Sequence, residues 1–163
     1  MDNRYKIVIS SRNVYKEIEL SPDMRQMKVG TGLDCDVRLH KNLFFGQIEL
    51  LFTKTDGEWS VQCSDNIYLT VGDIRKLMMK KLDNGDLLEV KYFESDNTVF
   101  FIDFLVDFDD GNIRYERLID TYYQSEIHIG CAPDNTIILS SEYVSKDSII
   151  LTRKNENYIL NIV

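Results

Sequence analysis

The sequence predicts an all-β protein, two antiparallel β-sandwiches in tandem with the second incomplete. Three observations carry that expectation. Apolar and polar residues alternate with period two through many short segments rich in β-branched and aromatic side chains. Turn formers recur every 8–12 residues, the spacing of a sandwich or barrel. Finally, "KVGTGLDCDVRLHKNLFFGQIEL" (28–50) returns as "IHIGCAPDNTIILSSEYVSKDSIIL" (127–151). Gly30 falls on Gly130, Asp34 on Asp134 and Leu39 on Leu139 at a spacing of 100, and after one inserted residue Leu43 falls on Val144, Ile48 on Ile149 and Leu50 on Leu151. Solenoid units repeat at roughly 20–50 residues, so this wider period points to a duplicated domain.

In chain order the expected strands of the first copy are 5–10, 15–21, 26–31, 36–39, 46–53, 58–63, 66–71, 86–93 and 98–106. Between them stand "SRN", "SPD", "KTDGE", "CSDN", "LDNGD" and "ESDN". Asn, Asp and Gly suit such turns because they tolerate positive φ or bond back to their own backbone. "GDIRKLMMKKL" (72–82) has helix-forming residues, with Ile74, Leu77 and Met78 on one face. It is nevertheless expected as a hairpin with a loose tip, because a helix there interrupts a run of strands; a short helix is the alternative. The acidic "DFDDGN" (107–112) reads as the linker between copies, dividing the chain into 1–107 and 108–163. It is not an EF-hand loop, because the twelfth position, which needs glutamate, is Leu118. Strands then resume in "NIRYERLI", "EIHIG", "NTIIL", "DSIILTR" and "NENYILNIV". Only 33 residues follow Gly130 (163 − 130), so the expectation is a cut-off second copy and an N-terminal piece of a longer protein.

Bulk properties exclude several classes. A hydrophobic fraction of 44% is enough for a packed core. With 27 acidic and 19 basic residues the net charge is −8, a poor match to nucleic acid, whose binding draws on neutralised phosphates. Cys35, Cys63 and Cys131 have no metal or disulfide spacing and read as reduced thiols of a cytosolic protein. No window approaches the roughly 20 apolar residues that span a bilayer, so no direct membrane insertion is expected. His40 and His128 belong to different copies without evident partners, and no Walker loop, zinc spacing or nucleophile elbow is present. No catalytic residue, metal site or cofactor is expected.

Each copy resembles a forkhead-associated (FHA) domain, a β-sandwich family that typically reads phosphothreonine peptides. The resemblance rests on "KVGTGLDCDVRL" and "IHIGCAPDNTIIL", similar to the family's Gly-Arg pair and following apolar D-x-x-L strand, and on "KKLDNGDLLEV", similar to its late L-x-x-GD-x-hydrophobic turn. Divergent copies in tandem further resemble the N-terminal cytosolic region of membrane-anchored FtsK/SpoIIIE-type ATPases of type VII secretion. That resemblance implies protein partners, either other secretion components or the parent protein itself.

The family's phosphate ligands are largely replaced. Thr31 follows Gly30 in place of arginine, Phe44 and Phe45 align with the serine and the basic residue, and Gln47 aligns with the histidine. Asn66 matches the first turn asparagine, with Val71 at the second. Losing one charged hydrogen bond costs roughly 1.5–3 kcal/mol, so a first copy lacking several is not expected to read phosphate. Phe44 and Phe45 are instead candidates for an interaction surface, or one of them turns inward and fills the emptied pocket. The second copy has Cys131 for the arginine but Ser145, Lys146 and Ser148 at the serine, basic and histidine positions. These three are the candidate phosphopeptide site, and the plainer alternative is ordinary exposed loop residues. Lysine serves phosphate as a point charge without arginine's fork. A homotypic contact through the open edge of the second copy is a further possibility.

Overall fold

A computed structural model of the chain describes residues 3–72, 75–107, 125–139, 143–155 and 157–163. The protein is all-β, with two sheets in a sandwich-like arrangement and no α-helix among the described residues. The strands are β1 (Tyr5–Ser10), β2 (Tyr15–Leu20), β3 (Gln26–Gly30), β4 (Val37–Arg38), β5 (Glu49–Thr55), β6 (Glu58–Cys63), β7 (Ile67–Thr70), β8 (Met79–Lys81), β9 (Leu87–Tyr92) and β10 (Thr98–Val106). A 3₁₀ turn, Lys41–Leu43, interrupts the β4–β5 connection. The second copy contributes β11 (Glu126–Gly130), β12 (Ile137–Ile138), β13 (Ile149–Lys154) and β14 (Asn157–Ile162). The linker expected at 107–112 lies, beyond Asp107, outside the described residues, as does the strand expected at "NIRYERLI".

One sheet has the order β4-β3-β5-β6-β8. The other has nine strands, β14-β13-β11-β12-β2-β1-β10-β9-β7. Between them lies a core of Ile7, Ile9, Met27, Val29, Leu50, Phe52, Trp59, Val61, Leu69, Leu88, Val90, Phe100, Ile102 and Phe104. Alternation places each of these on the inward face of its strand, which is why β6 reads Trp59, Val61, Cys63 inward and Glu58, Ser60, Gln62 outward. Leu77 turns back to bridge Leu69, and the chain then crosses to the opposite sheet as β8. The described part of 72–82 is therefore extended, as expected; its tip, 73–74, lies outside the described residues.

The duplication is visible in the pairing. Val29 and Gly30 pair in parallel with Val37 and Arg38, and Ile129 and Gly130 pair in parallel with Ile137 and Ile138, each 100 residues on. Two backbone hydrogen bonds repeat at the same interval: Leu39 N to Gly30 O and Leu139 N to Gly130 O, then Cys35 N to Gly32 O and Asn135 N to Ala132 O. After the loop the register corrects the sequence alignment. Val29 faces Leu50, whereas Ile129 faces Ile149, so the copies correspond at 99 (149 − 50) rather than 101. The second loop is one residue shorter, not one longer. A two-residue slip keeps every side chain on its own face, so apolar alternation alone could not detect it.

Among the described residues, the strands of the two copies pair through Tyr15 with Ile137 and Lys16 with Ile138, in parallel. Residues directly opposite on neighbouring strands share a face. Ile9, Lys16 and Ile138 therefore lie on the face turned to the first core. Ile129, Ile149, Ile127 and Leu151, the counterparts of first-copy core residues, lie on the opposite face. The joint is tied by Lys16, 4% exposed, whose Nζ donates to Asn135 O at 2.6 Å. Burial lowers its pKa from 10.5 to about 8, against the opposing pull of Asp134. Beside it, β1 is buried on both faces: Lys6 Nζ lies 3.8 Å from Glu17 Oε2, and Tyr15 donates to Glu17 Oε1 at 2.7 Å.

Candidate functional site

The loops joining β3 to β4, β4 to β5, β6 to β7 and β9 to β10 gather around residues 44–47, and each contact follows from a local constraint. β3 ends on Gly30, where a Cβ would strike the Ile48 carbonyl, so only glycine lets β5 approach. Thr31 then closes the loop. Its N–H donates to Ile48 O at 3.0 Å, and its hydroxyl accepts from Ile48 N at 3.1 Å and reaches Ile48 O at 3.4 Å. At the position where the FHA resemblance puts a phosphate-binding arginine, this chain has a hydroxyl engaged with its own backbone.

The tip of the β4–β5 loop carries Phe44, Phe45 and Gly46 at φ +74. Phe44 turns inward, half-buried, edge-on to the buried Phe100 at 6.1 Å between ring centroids. Phe45 turns outward and is 80% exposed. Its backbone N–H donates to Tyr92 Oη at 3.0 Å, and its ring stands edge-on to Tyr92 at 5.7 Å. Asn66 latches the tip from the β6–β7 turn: Nδ2 donates to Gln47 O at 3.1 Å, and Oδ1 accepts from Ser64 Oγ at 2.9 Å. Ser64 Oγ in turn accepts from Glu49 N at 3.1 Å. The tip is held rigidly, and what it displays is apolar.

Clefts open on both sides of Phe45. One is lined by Ser11, Arg12, Phe44, Phe45, Tyr92 and Phe101, the other by Phe45, Asn66, Tyr92, Phe93 and Asn97. Phe93, 39% exposed, packs on Tyr68 at 4.9 Å, and Lys76 Nζ lies 4.7 Å over the Tyr68 ring. Asp96 accepts from Tyr68 Oη at 2.8 Å and pairs with Lys76 at 3.0 Å, which holds its carboxyl below the usual range. Sequence reasoning found Phe44 and Phe45 but missed Tyr92, Phe93 and Tyr68. Only the "KYFESDN" turn hinted at them, by placing two aromatics beside a turn.

In the second copy, a Cβ on Gly130 would strike the Lys146 carbonyl, the counterpart of the Gly30 contact. Ser145 and Ser148 come together, Oγ to Oγ at 2.9 Å, and Ser145 Oγ also donates to Asp147 O at 3.1 Å. The Lys146 side chain is exposed, while its carbonyl accepts from Asn135 Nδ2 at 2.5 Å and Ala132 N at 3.1 Å. Counted back from β13, Ser145 and Lys146 stand opposite Gly46 and Gln47 (offset 99) rather than Phe44 and Phe45.

The remaining reactive groups are quiet. Cys35, Cys63 and Cys131 are free thiols. Burial pushes Cys63 up to about 12 and raises Cys35, so neither is a thiolate at neutral pH. Asp34, Cys35 and Glu49 bring ligand atoms within 4.8 Å of one another. Lys28 pairs with both carboxylates, 2.8 Å from Asp34 and 3.9 Å from Glu49. His128 Nε2 lies 3.3 Å from Glu126, and His40 is exposed on its loop.

No family model matches the sequence. Nor does any curated protein sequence. Among solved structures, the chain is similar to the crystal structure of Mycobacterium tuberculosis Rv1747 FHA-1, at 19% identity over 63% of this chain and 96% of that one, with a TM-score of 0.43.

Proposed function

We propose that this chain is a non-catalytic protein–protein interaction module whose first copy has exchanged phosphopeptide reading for apolar contact. The observation that carries the reading is the loop tip: Thr31 is spent on Ile48, Phe44 is packed inward, and Phe45 is presented to solvent at 80% exposure. A phosphate site needs several charge-assisted donors converging on one point. An exposed, rigidly mounted aromatic beside a cleft is the anatomy of an interface anchor. Together with the motif resemblance, this supports assignment to the cytosolic N-terminal part of a membrane-anchored type VII secretion ATPase such as EssC. Its partners are then other secretion components or the rest of the parent protein. Among the described residues no helix is long and apolar enough to cross a membrane.

A second reading is a phosphothreonine reader acting through the second copy, favoured by the paired hydroxyls of Ser145 and Ser148 beside the exposed Lys146. Titrating matched phosphorylated and unphosphorylated threonine peptides by calorimetry separates the two. The proposal predicts no preference for phosphate. Binding that disappears on dephosphorylation and in Ser145→Ala would overturn it in favour of the second reading.

A further inference from the structure

We infer that the cleft between Phe45 and the β9–β10 turn receives an arginine side chain of a protein partner, held between aromatic rings and carboxylates. This rests on the interaction-module reading above and names the chemistry of the partner. The cleft, about 530 Å³, is lined by Phe45, Asn66, Tyr92, Phe93, Glu94 and Asn97, and no basic residue lines it among the described residues. Sites of roughly 300–1,000 Å³ take small ligands, so there is room for one long side chain. Its walls are set in advance: Tyr92 Oη holds the Phe45 N–H, and Asn66 Nδ2 holds the Gln47 carbonyl. A wall already in place loses little freedom when a ligand arrives.

Rings alone suit any apolar group; the carboxylates select a cation. Phe93 N donates to Asn66 O at 3.0 Å, and the next residues outward on these two adjoining segments are Asp65 and Glu94. Both are exposed, and neither carboxylate has a hydrogen bond or ion pair with a described residue. Like charges on adjoining strands repel, so a cation between them interacts favourably with both, whereas a phosphate would be repelled. The net charge of −8 biases partners the same way. The chain's own lysine shows the arrangement at work. Lys76 Nζ lies 4.7 Å over the Tyr68 ring, 5.4 Å from the Phe93 ring centroid and 3.0 Å from Asp96. Two rings and a carboxylate thus hold one cation beside Phe93, and Phe45, Tyr92 and Glu94 offer the same set of groups in the cleft. Arginine fits this set better than lysine, because its planar guanidinium stacks on rings while its fork bonds carboxylates.

Amide chemical-shift titration of the full chain with acetyl-Gly-Leu-Arg-Leu-Gly amide, and with its citrulline twin, tests this. Citrulline keeps the shape of arginine without the charge. The expected result is saturable movement of the Phe93, Glu94 and Asn97 amides, with the arginine peptide bound at least about fivefold more tightly. Leu33, 83% exposed on the β3–β4 loop, should not move. In the double variant Asp65→Asn with Glu94→Gln, both at exposed positions, the two peptides should bind alike. Equal binding of the two peptides to the wild type would overturn the inference and leave apolar contact at Phe45 standing, since both peptides carry leucine. An arginine preference that survives the double variant would overturn it too, because the cation would then sit elsewhere. So would the absence of saturable shifts with either peptide. Phe45→Ala reads the underlying proposal separately: it should weaken both peptides, and unchanged binding of both would refute the apolar anchor and the inference with it.

Discussion

Replacing Lys16 with methionine probes the joint between the copies. Lysine and methionine are similar in length, so the substitution removes the charge with little change in packing. In the wild-type protein Lys16 is buried between β2 and the β11–β12 connection, and its folded pKa is about 8 against 10.5 when solvated. The sign follows from proton counting. Below pH 8 both states carry the proton, and the folded state bears the full penalty of a buried ammonium. Between 8 and 10.5 the unfolded chain binds more protons, so stability rises with pH. Each pH unit in that window is worth about 1.4 kcal/mol, so moving from pH 7 to pH 9.5 should stabilise the wild type by about 2 kcal/mol relative to Lys16→Met. Urea unfolding of both proteins, followed by Trp59 fluorescence at several pH values, reads that difference. Comparing the two proteins at each pH cancels shared contributions, such as the Cys63 thiol pushed up to about 12, whose effect has the opposite sign. Parallel pH profiles would refute the reasoning: Lys16 would then be solvated, and the second copy would not be docked on β2.

Other perturbations address the loop tip. Phe44→Ala removes a half-buried ring packed on Phe100 and should cost about 2–3 kcal/mol of stability. Phe45→Ala, at an 80% exposed position, should change stability by less than about 0.5 kcal/mol while weakening partner capture. Asn66→Ala breaks the bonds to Gln47 and Ser64, and should cost about 1–2 kcal/mol and speed amide exchange at Gln47. Gly30→Ala drives a Cβ into the Ile48 carbonyl, and a destabilisation above about 2 kcal/mol is expected on thermal unfolding.

Much of the architecture can be read from residue patterns, because alternation in a strand reports its two faces directly. β6 and β10 fall on their expected spans, and the repeat at 100 residues reappears as matched pairing of β3 with β4 and β11 with β12. What alternation cannot report is what lies against each face. Lys6 and Glu17 are charged and lie on the face turned away from the first core, yet they are 0% and 1% exposed, with Lys6 Nζ 3.8 Å from Glu17 Oε2. Lys16 misleads in the same way, since the strand that covers it comes from residues 137–138, more than a hundred positions on. The correspondence of the two loops was offset by two residues, an error that leaves faces unchanged and is visible only in pairing. At the site, the replacements at the positions where the FHA resemblance expects phosphate ligands pointed to Phe44 and Phe45, but not to which one turns out. That is decided by the Phe100 ring beneath Phe44 and the Tyr92 hydroxyl that takes the Phe45 N–H.

The measurement that bears most directly on the central claim is an amide chemical-shift titration of the full chain with a phosphothreonine peptide, with sodium chloride of matched ionic strength as the control. The account predicts that Thr31, Phe45 and Gln47 move no more than in the salt control. Saturable shifts at those three amides, reversed when the peptide is dephosphorylated, would contradict it.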